Sequence, residues 1–106
     1  VDKLLTKIIV FAPQKDVKTL IDVMAQAGAG IIGNYSHCAF VTEGTGYWKP
    51  LPGAHPTTGT VGALSEEPQF RIEMICPHEN VPDVISAINK HHSYESPEIN
   101  VLTLQH

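Results

Sequence analysis

Six histidines, His37, His55, His78, His91, His92 and His106, are the side chains whose type most directly suggests chemistry. Imidazole nitrogens, joined by thiolates or carboxylates, are the donors zinc and copper select, provided that they converge at fixed short distances. His37 and Cys38 are neighbours on an expected strand, so their side chains point to opposite faces and cannot share one intrachain site. His91 and His92 close an expected helix, where the terminal carbonyls favour a basic side chain, and a solvated capping role accounts for at least one of them. The cluster left for a divalent metal is His37 with His92 and Glu95, gathered if strand and turn residues of neighbouring subunits meet. His106 ends the chain, where poor order is expected.

Other reactive types are present without a reactive arrangement. Ser36, His37 and Cys38 are consecutive rather than converging, so neither a Ser-His-Asp nor a Cys-His order gains support. Tyr94, Glu95 and Glu98 offer paired carboxylates for acid–base work, but Pro97 stands between them and a structural turn or intersubunit hydrogen bonds are the expected use. Gly44, Gly46, Gly59 and Gly62 would let backbone N–H groups approach a phosphate. Their spacing matches neither the P-loop nor the dinucleotide fingerprint, so tight turns are expected instead. Cations to hold phosphates are few: the segment offers Lys49, and Arg71 is the sole arginine. Asn34, Tyr35, Ser36, His37, Glu43, Tyr47, Trp48 and Lys49, together with Tyr94, combine polar groups with large aromatics, a mixture enriched in ligand pockets and protein interfaces alike. For Trp48 the expected role is an anchor buried at a subunit contact.

Composition narrows the classes. The chain has 106 residues, 42% of them hydrophobic and 17% charged, which suits one globular domain and is too short for a two-domain enzyme. Seven Lys and Arg against eleven Asp and Glu give a net charge of −4, so there is no basic footprint for nucleic acid. The longest apolar run, residues 8–12, is far short of the roughly 20 residues that span a bilayer. Neither a membrane segment nor an export signal is expected. Two cysteines, Cys38 and Cys76, do not make a disulfide framework and read as reduced thiols of a cytoplasmic protein.

The elements that must position these residues follow from periodicity. Residues 3–12 are rich in β-branched and aromatic types and stop at Pro13, which predicts a strand. Val17, Leu20, Ile21, Met24 and Ala25 recur at helical spacing, with Gly28 suited to a left-handed C′ position. A short strand is expected over residues 35–42, broken by Gly44 and Gly46, followed by a long loop over residues 44–67. Phe70, Ile72, Met74 and Cys76 alternate with Arg71, Glu73 and Ile75 as in a half-buried strand ended by Pro77. Asn80 precedes Val81, Val84, Ile85 and Ile88 at helical spacing and is the expected N-cap, with Asp83 in the first turn. Residues 99–104 form the last strand. The order β-α-β-β-α-β describes an α+β, ferredoxin-like split βαβ plan with both helices on one sheet face. The other face then lacks cover within the chain, and oligomerisation is the simplest way to supply it.

The run GAGIIGNYSHCAFVTEGTGYWKP at residues 28–50, followed by GAHP at 53–56 and GTVG at 59–62, closely resembles the YqfO-type insert domain of the NIF-three (NGG1p-interacting factor) family. SYESPEI at residues 93–99 resembles the Tyr-Glu-x-Pro-Glu-Ile segment of CutA proteins. The resemblance implies a stand-alone PII/CutA-like domain that forms a homotrimer. Larger relatives carry their dinuclear metal ligands in flanking halves, so it implies no hydrolase or cyclohydrolase activity here. The expected function is a non-catalytic binding or regulatory module for a small ligand or a regulatory protein partner. The long loop of residues 44–67 and the inter-subunit cleft beside Asn34 to His37 would form its recognition surface. The alternative is a CutA-like divalent-metal protein with zinc or copper at subunit interfaces.

Overall fold

The computed structural model describes residues 4–105. His106 and Lys3, the expected start of the first strand, lie outside them. Four strands, β1 (Leu5–Ala12), β2 (Phe40–Trp48), β3 (Ser65–Pro77) and β4 (Ile99–Thr103), form one antiparallel sheet in the order β2-β3-β1-β4. Helices α1 (Val17–Gln26) and α2 (Val81–His91) connect β1 to β2 and β3 to β4. This is the split βαβ plan, an α+β fold.

Alternation decides which side the helices cover. Ile8 and Val10 of β1 pair across the sheet with Met74 and Ile72 of β3. All four join Leu20, Met24, Val84 and Ile88 of the helices in one buried cluster. The intervening residues face the open side. There Lys7 Nζ and Arg71 Nε reach opposite oxygens of Glu73 at 3.5 and 3.3 Å, and Ile9, paired across the strands with Glu73 and Asn100, is only 3% exposed. Phe40 and Leu102 flank that charged row and stay exposed. No helix of the described chain covers this face.

Both halves repeat one device. Each proline that ends a strand, Pro13 or Pro77, opens a 3-10 turn that runs straight into a helix. Asn80 holds the expected N-cap position of α2, but it is already helical in φ and ψ and its side chain makes no capping bond. Asn80 Nδ2 instead donates to Gly28 O at 3.4 Å, two residues beyond the end of α1. Its counterpart Asp16 accepts from Ser93, two residues beyond the end of α2. Gly28 has φ 113°, as its C′ placement required.

The largest departure from expectation is β2. It begins at Phe40 rather than residue 35 and runs through Gly44 and Gly46 to Trp48. A strand tolerates Gly46 because Gln69 lies over it: an added Cβ would come within 2.3 Å of Gln69 Cδ. The loop shrinks accordingly to residues 49–64, and β3 starts at Ser65, far before Phe70. Pro68 fits inside β3 because that stretch has one strand partner: it pairs with Thr45 of β2, whereas β1 reaches only Phe70.

Gly30 is the tightest backbone approach. It adopts φ 77°, donates to Ile75 O at 2.7 Å and accepts from Cys38 N–H at 2.8 Å. An added Cβ would meet Met74 Cε at 2.5 Å and Cys38 O at 3.0 Å. Gly30→Ala is expected to lower stability by about 2–3 kcal/mol through left-handed strain and overpacking. Gly44→Ala, with nothing near its added Cβ, should stay within about 0.5 kcal/mol of the parent. Urea denaturation of the two variants measures the contrast.

Candidate functional site

Pro13 stops β1 while β3 continues, so residues 65–69 of β3 are left with an edge that β1 never reaches. The turn after α2 comes up to that edge. Gln69 Nε2 donates to Tyr94 Oη at 3.4 Å, and the Trp48 and Tyr94 rings lie 6.2 Å apart, tilted by 40°. The loop of residues 49–64 then folds back onto the same turn. Thr57 Oγ1 donates to Ser93 O at 2.7 Å, His55 N–H to Glu95 Oε1 at 3.1 Å, and Trp48 Nε1 to Thr58 O at 3.3 Å. Between loop, ribbon and turn lies a cavity of about 490 Å³, lined among others by Phe11, Trp48, Lys49, Leu51, Tyr94 and Glu98. A neighbouring groove of about 350 Å³ continues along Glu43, Arg71 and Glu98. Such size and aromatic lining suit a small molecule.

Two buried groups hold the turn in place. Asp16 accepts Ser93 N–H at 2.9 Å and Ser93 O–H at 2.7 Å. His92 has a fully buried side chain. Its Nε2 donates to Phe11 O at 2.8 Å and its Nδ1 accepts from Tyr94 N–H at 3.0 Å, which assigns the tautomer. The His92 ring lies 4.9 Å from that of Tyr94. Burial pushes the Tyr94 phenol above its ordinary value, and the nearby Glu67 charge adds to the effect.

The structure divides the residues singled out from sequence into two groups. Trp48, Lys49 and Tyr94 line the cavity with Tyr47, and Glu43 lines the groove beside it. Asn34, Tyr35, Ser36 and His37 belong to a separate exposed turn, closed by an Ile32–Tyr35 bridge, before β2 begins. Nine residues of β2 at about 3.3 Å each put roughly 30 Å between this turn and the loop. Within one chain the turn and the loop are therefore apart, and a surface joining them takes a second subunit.

The expectation that Ser36 and His37 do not converge also fails. They lie in a turn, not a strand, and His37 takes φ 60°, a conformation histidine visits more readily than most residues. Ser36 Oγ and His37 Nδ1 are 2.9 Å apart, and His37 Nε2 is 3.0 Å from Asp22 Oδ1 of α1. The three side chains make a hydrogen-bonded Ser-His-Asp chain, but His37 and Asp22 are about half exposed and neither cavity reaches them. As for the metal set, His37 pairs with Asp22, both nitrogens of His92 are engaged, and Glu95 holds His55 N–H. Among the described residues no three His, Cys, Asp or Glu side chains converge on a metal position. His92 is the C-cap of α2, its N–H donating to Ile88 O at 2.9 Å, and its side chain is buried rather than solvated, while His91 in the last turn is exposed. Cys38 and Cys76 are free thiols, and burial pushes the Cys76 thiol up.

No family model matches the chain. A Bacillus subtilis protein named GTP cyclohydrolase 1 type 2 homolog is 39% identical over 101 residues, covering 95% of this chain and 27% of its own length. The Mycobacterium leprae protein of the same name is 35% identical over 100 residues, 94% of this chain and 26% of its own. Among solved structures, a Bacillus cereus protein related to NIF3 superposes with a TM-score of 0.85 at 36% identity, over 98% of this chain and 26% of that one. This chain is a NIF3-related domain. It spans about a quarter of the length of these relatives. The divalent cation tolerance protein CutA of Archaeoglobus fulgidus shares the fold with a TM-score of 0.72 at 13% identity, over 96% of this chain and 85% of its own. A PII-like CutA from Nostoc does so at 0.69 and 12%, over 94% and 81%. The NIF3-related domain thus has the PII/CutA-like fold.

Sequence reasoning missed Asp16, Gln69, Thr57 and Phe11 at this site. Their partners lie 77, 25 and 36 residues away for the first three, so no local spacing betrays them. Asp16→Ala is expected to cost about 2–3 kcal/mol, since two hydrogen bonds to a charged acceptor are lost at a buried position; urea titration reads it. The Tyr94 proton gives a second check. A raised folded value means a stabilising contribution fully present below the unfolded value near ~10 and lost as pH climbs through the folded one. Phenolate absorbance should show one late-titrating tyrosine that disappears in Tyr94→Phe.

Proposed function

We propose that this domain is a non-catalytic small-ligand-binding or regulatory module of the PII/CutA-like type, working as a homotrimer in the cytoplasm. The observation that carries the reading is the cavity beneath the 49–64 loop. It is roomy, walled by Phe11, Trp48, Leu51 and Tyr94, and held open by bonds from the loop to the 93–95 turn. Its lining contains neither histidine nor cysteine, and on this reading the cyclohydrolase in the longer relatives' name belongs to the parts of those proteins beyond this domain. The trimer is supported by the open sheet face, where Phe40 and Leu102 stay exposed beside the Lys7–Glu73–Arg71 row. A cytoplasmic site accords with two unpaired thiols. The metal alternative draws on the name of CutA, a divalent cation tolerance protein, and among the described residues of one chain it lacks a converging donor set.

Native mass spectrometry of the chain, with and without zinc, copper and a nucleotide and metabolite mixture, tests the whole reading. The expected spectrum is a trimer that gains one organic ligand mass per subunit. Stoichiometric zinc or copper with no organic mass would replace it by the metal reading, and a monomer would remove the account of the open face. Trp48→Ala should abolish the ligand mass, because the ring forms one wall of the cavity.

A further inference from the structure

The charges around the cavity are lopsided. Glu95 and Glu98 line it and Lys49 is the one cation in its wall. Glu43 lines the adjoining groove, whose Arg71 already sits 3.3 Å from Glu73. Tyr94, at the heart of the site, feels the charges of Glu67 and Asp16, both of which oppose a phenolate there. The cavity wall thus holds two carboxylates to one ammonium, a balance that disfavours a phosphate or carboxylate ligand. Four aromatic rings, Phe11, Tyr47, Trp48 and Tyr94, meet in the same space. Their π faces attract cations and accept flat apolar bodies.

We propose that the cavity takes an organic cation with a flat apolar body, of the arylalkylamine class: its ring stacks within the Trp48–Tyr94 wall and its ammonium meets Glu95 and Glu98. This deepens the ligand-binding reading above and rests on it. Among the described residues, each carboxylate has one oxygen left for a ligand. Glu95 uses Oε1 for His55 N–H, and Glu98 uses Oε2 for Asn100 Nδ2 at 3.3 Å. A glutamine at either position keeps an acceptor for its neighbour while losing the charge, so the turn is preserved in the test variants.

Trp48 is the sole tryptophan, and its fluorescence reports occupancy of the cavity directly. The full chain is titrated with phenethylamine, 2-phenylethanol and phenylacetate, which present one ring with a cationic, a neutral and an anionic head. Phenethylamine is expected to bind at least about tenfold more tightly than the other two. Glu95→Gln and Glu98→Gln should each reduce that preference about threefold or more and leave 2-phenylethanol unchanged. Equal or tighter binding of the alcohol or the acid, or a preference untouched by both substitutions, overturns the cation assignment and leaves a ligand cavity standing. No saturable response to any of the three overturns the proposal, and if native mass spectrometry also finds no bound organic mass, the ligand-binding reading falls with it.

Discussion

The missing N–H of proline shapes this molecule more than any other single constraint. Pro13 ends β1 opposite Phe70, and everything distinctive lies beyond that point. β3 continues with β2 as a two-stranded ribbon. An unpaired strand edge is left exposed, and the turn after α2 and the 49–64 loop close around it. Had β1 run on, its backbone would occupy the edge where Gln69 now meets Tyr94. Pro68 belongs to the same economy, since a residue without a donor is tolerated only where a strand has a partner on one side.

The elements legible in the sequence are those whose signal is local. The helical spacing of Val17 to Ala25, the alternation of Phe70 to Cys76 and the two strand-ending prolines placed both helices, β1 and the end of β3 within a few residues. Gly44 and Gly46 misled because glycine usually weakens a strand; at Gly46 the reason for glycine is the Gln69 side chain on the neighbouring strand, a contact invisible along the chain. His37 misled in the opposite sense, because alternation assumes an extended backbone and this residue has φ 60°. Trp48, Lys49 and Tyr94 were found as an aromatic and polar mixture, whereas Asp16, which holds their turn, carries no signal in its own neighbourhood.

The site also illustrates how a common fold is given a particular cavity. The sheet and helices resemble CutA at 13% identity, so the architecture itself says little about chemistry. The particular content lies in one loop and one turn, tied by Thr57 to Ser93 and by His55 to Glu95. The donors in these two ties are a backbone N–H and a short hydroxyl of the loop, which fixes its path while engaging one oxygen of one charged side chain, Glu95.

The crossed bonds of Asp16 to Ser93 and Asn80 to Gly28 relate the halves as mirror roles in one handshake. Each strand–proline–turn–helix unit ends in a segment gripped by the other unit's pre-helical side chain. Neither half satisfies its own end, so neither is a self-sufficient piece of architecture, and severing the chain between them would leave two fragments each holding out an unanswered polar group. The domain is thus closed upon itself by reciprocity, and a strain applied to one helix terminus is felt first at the beginning of the other.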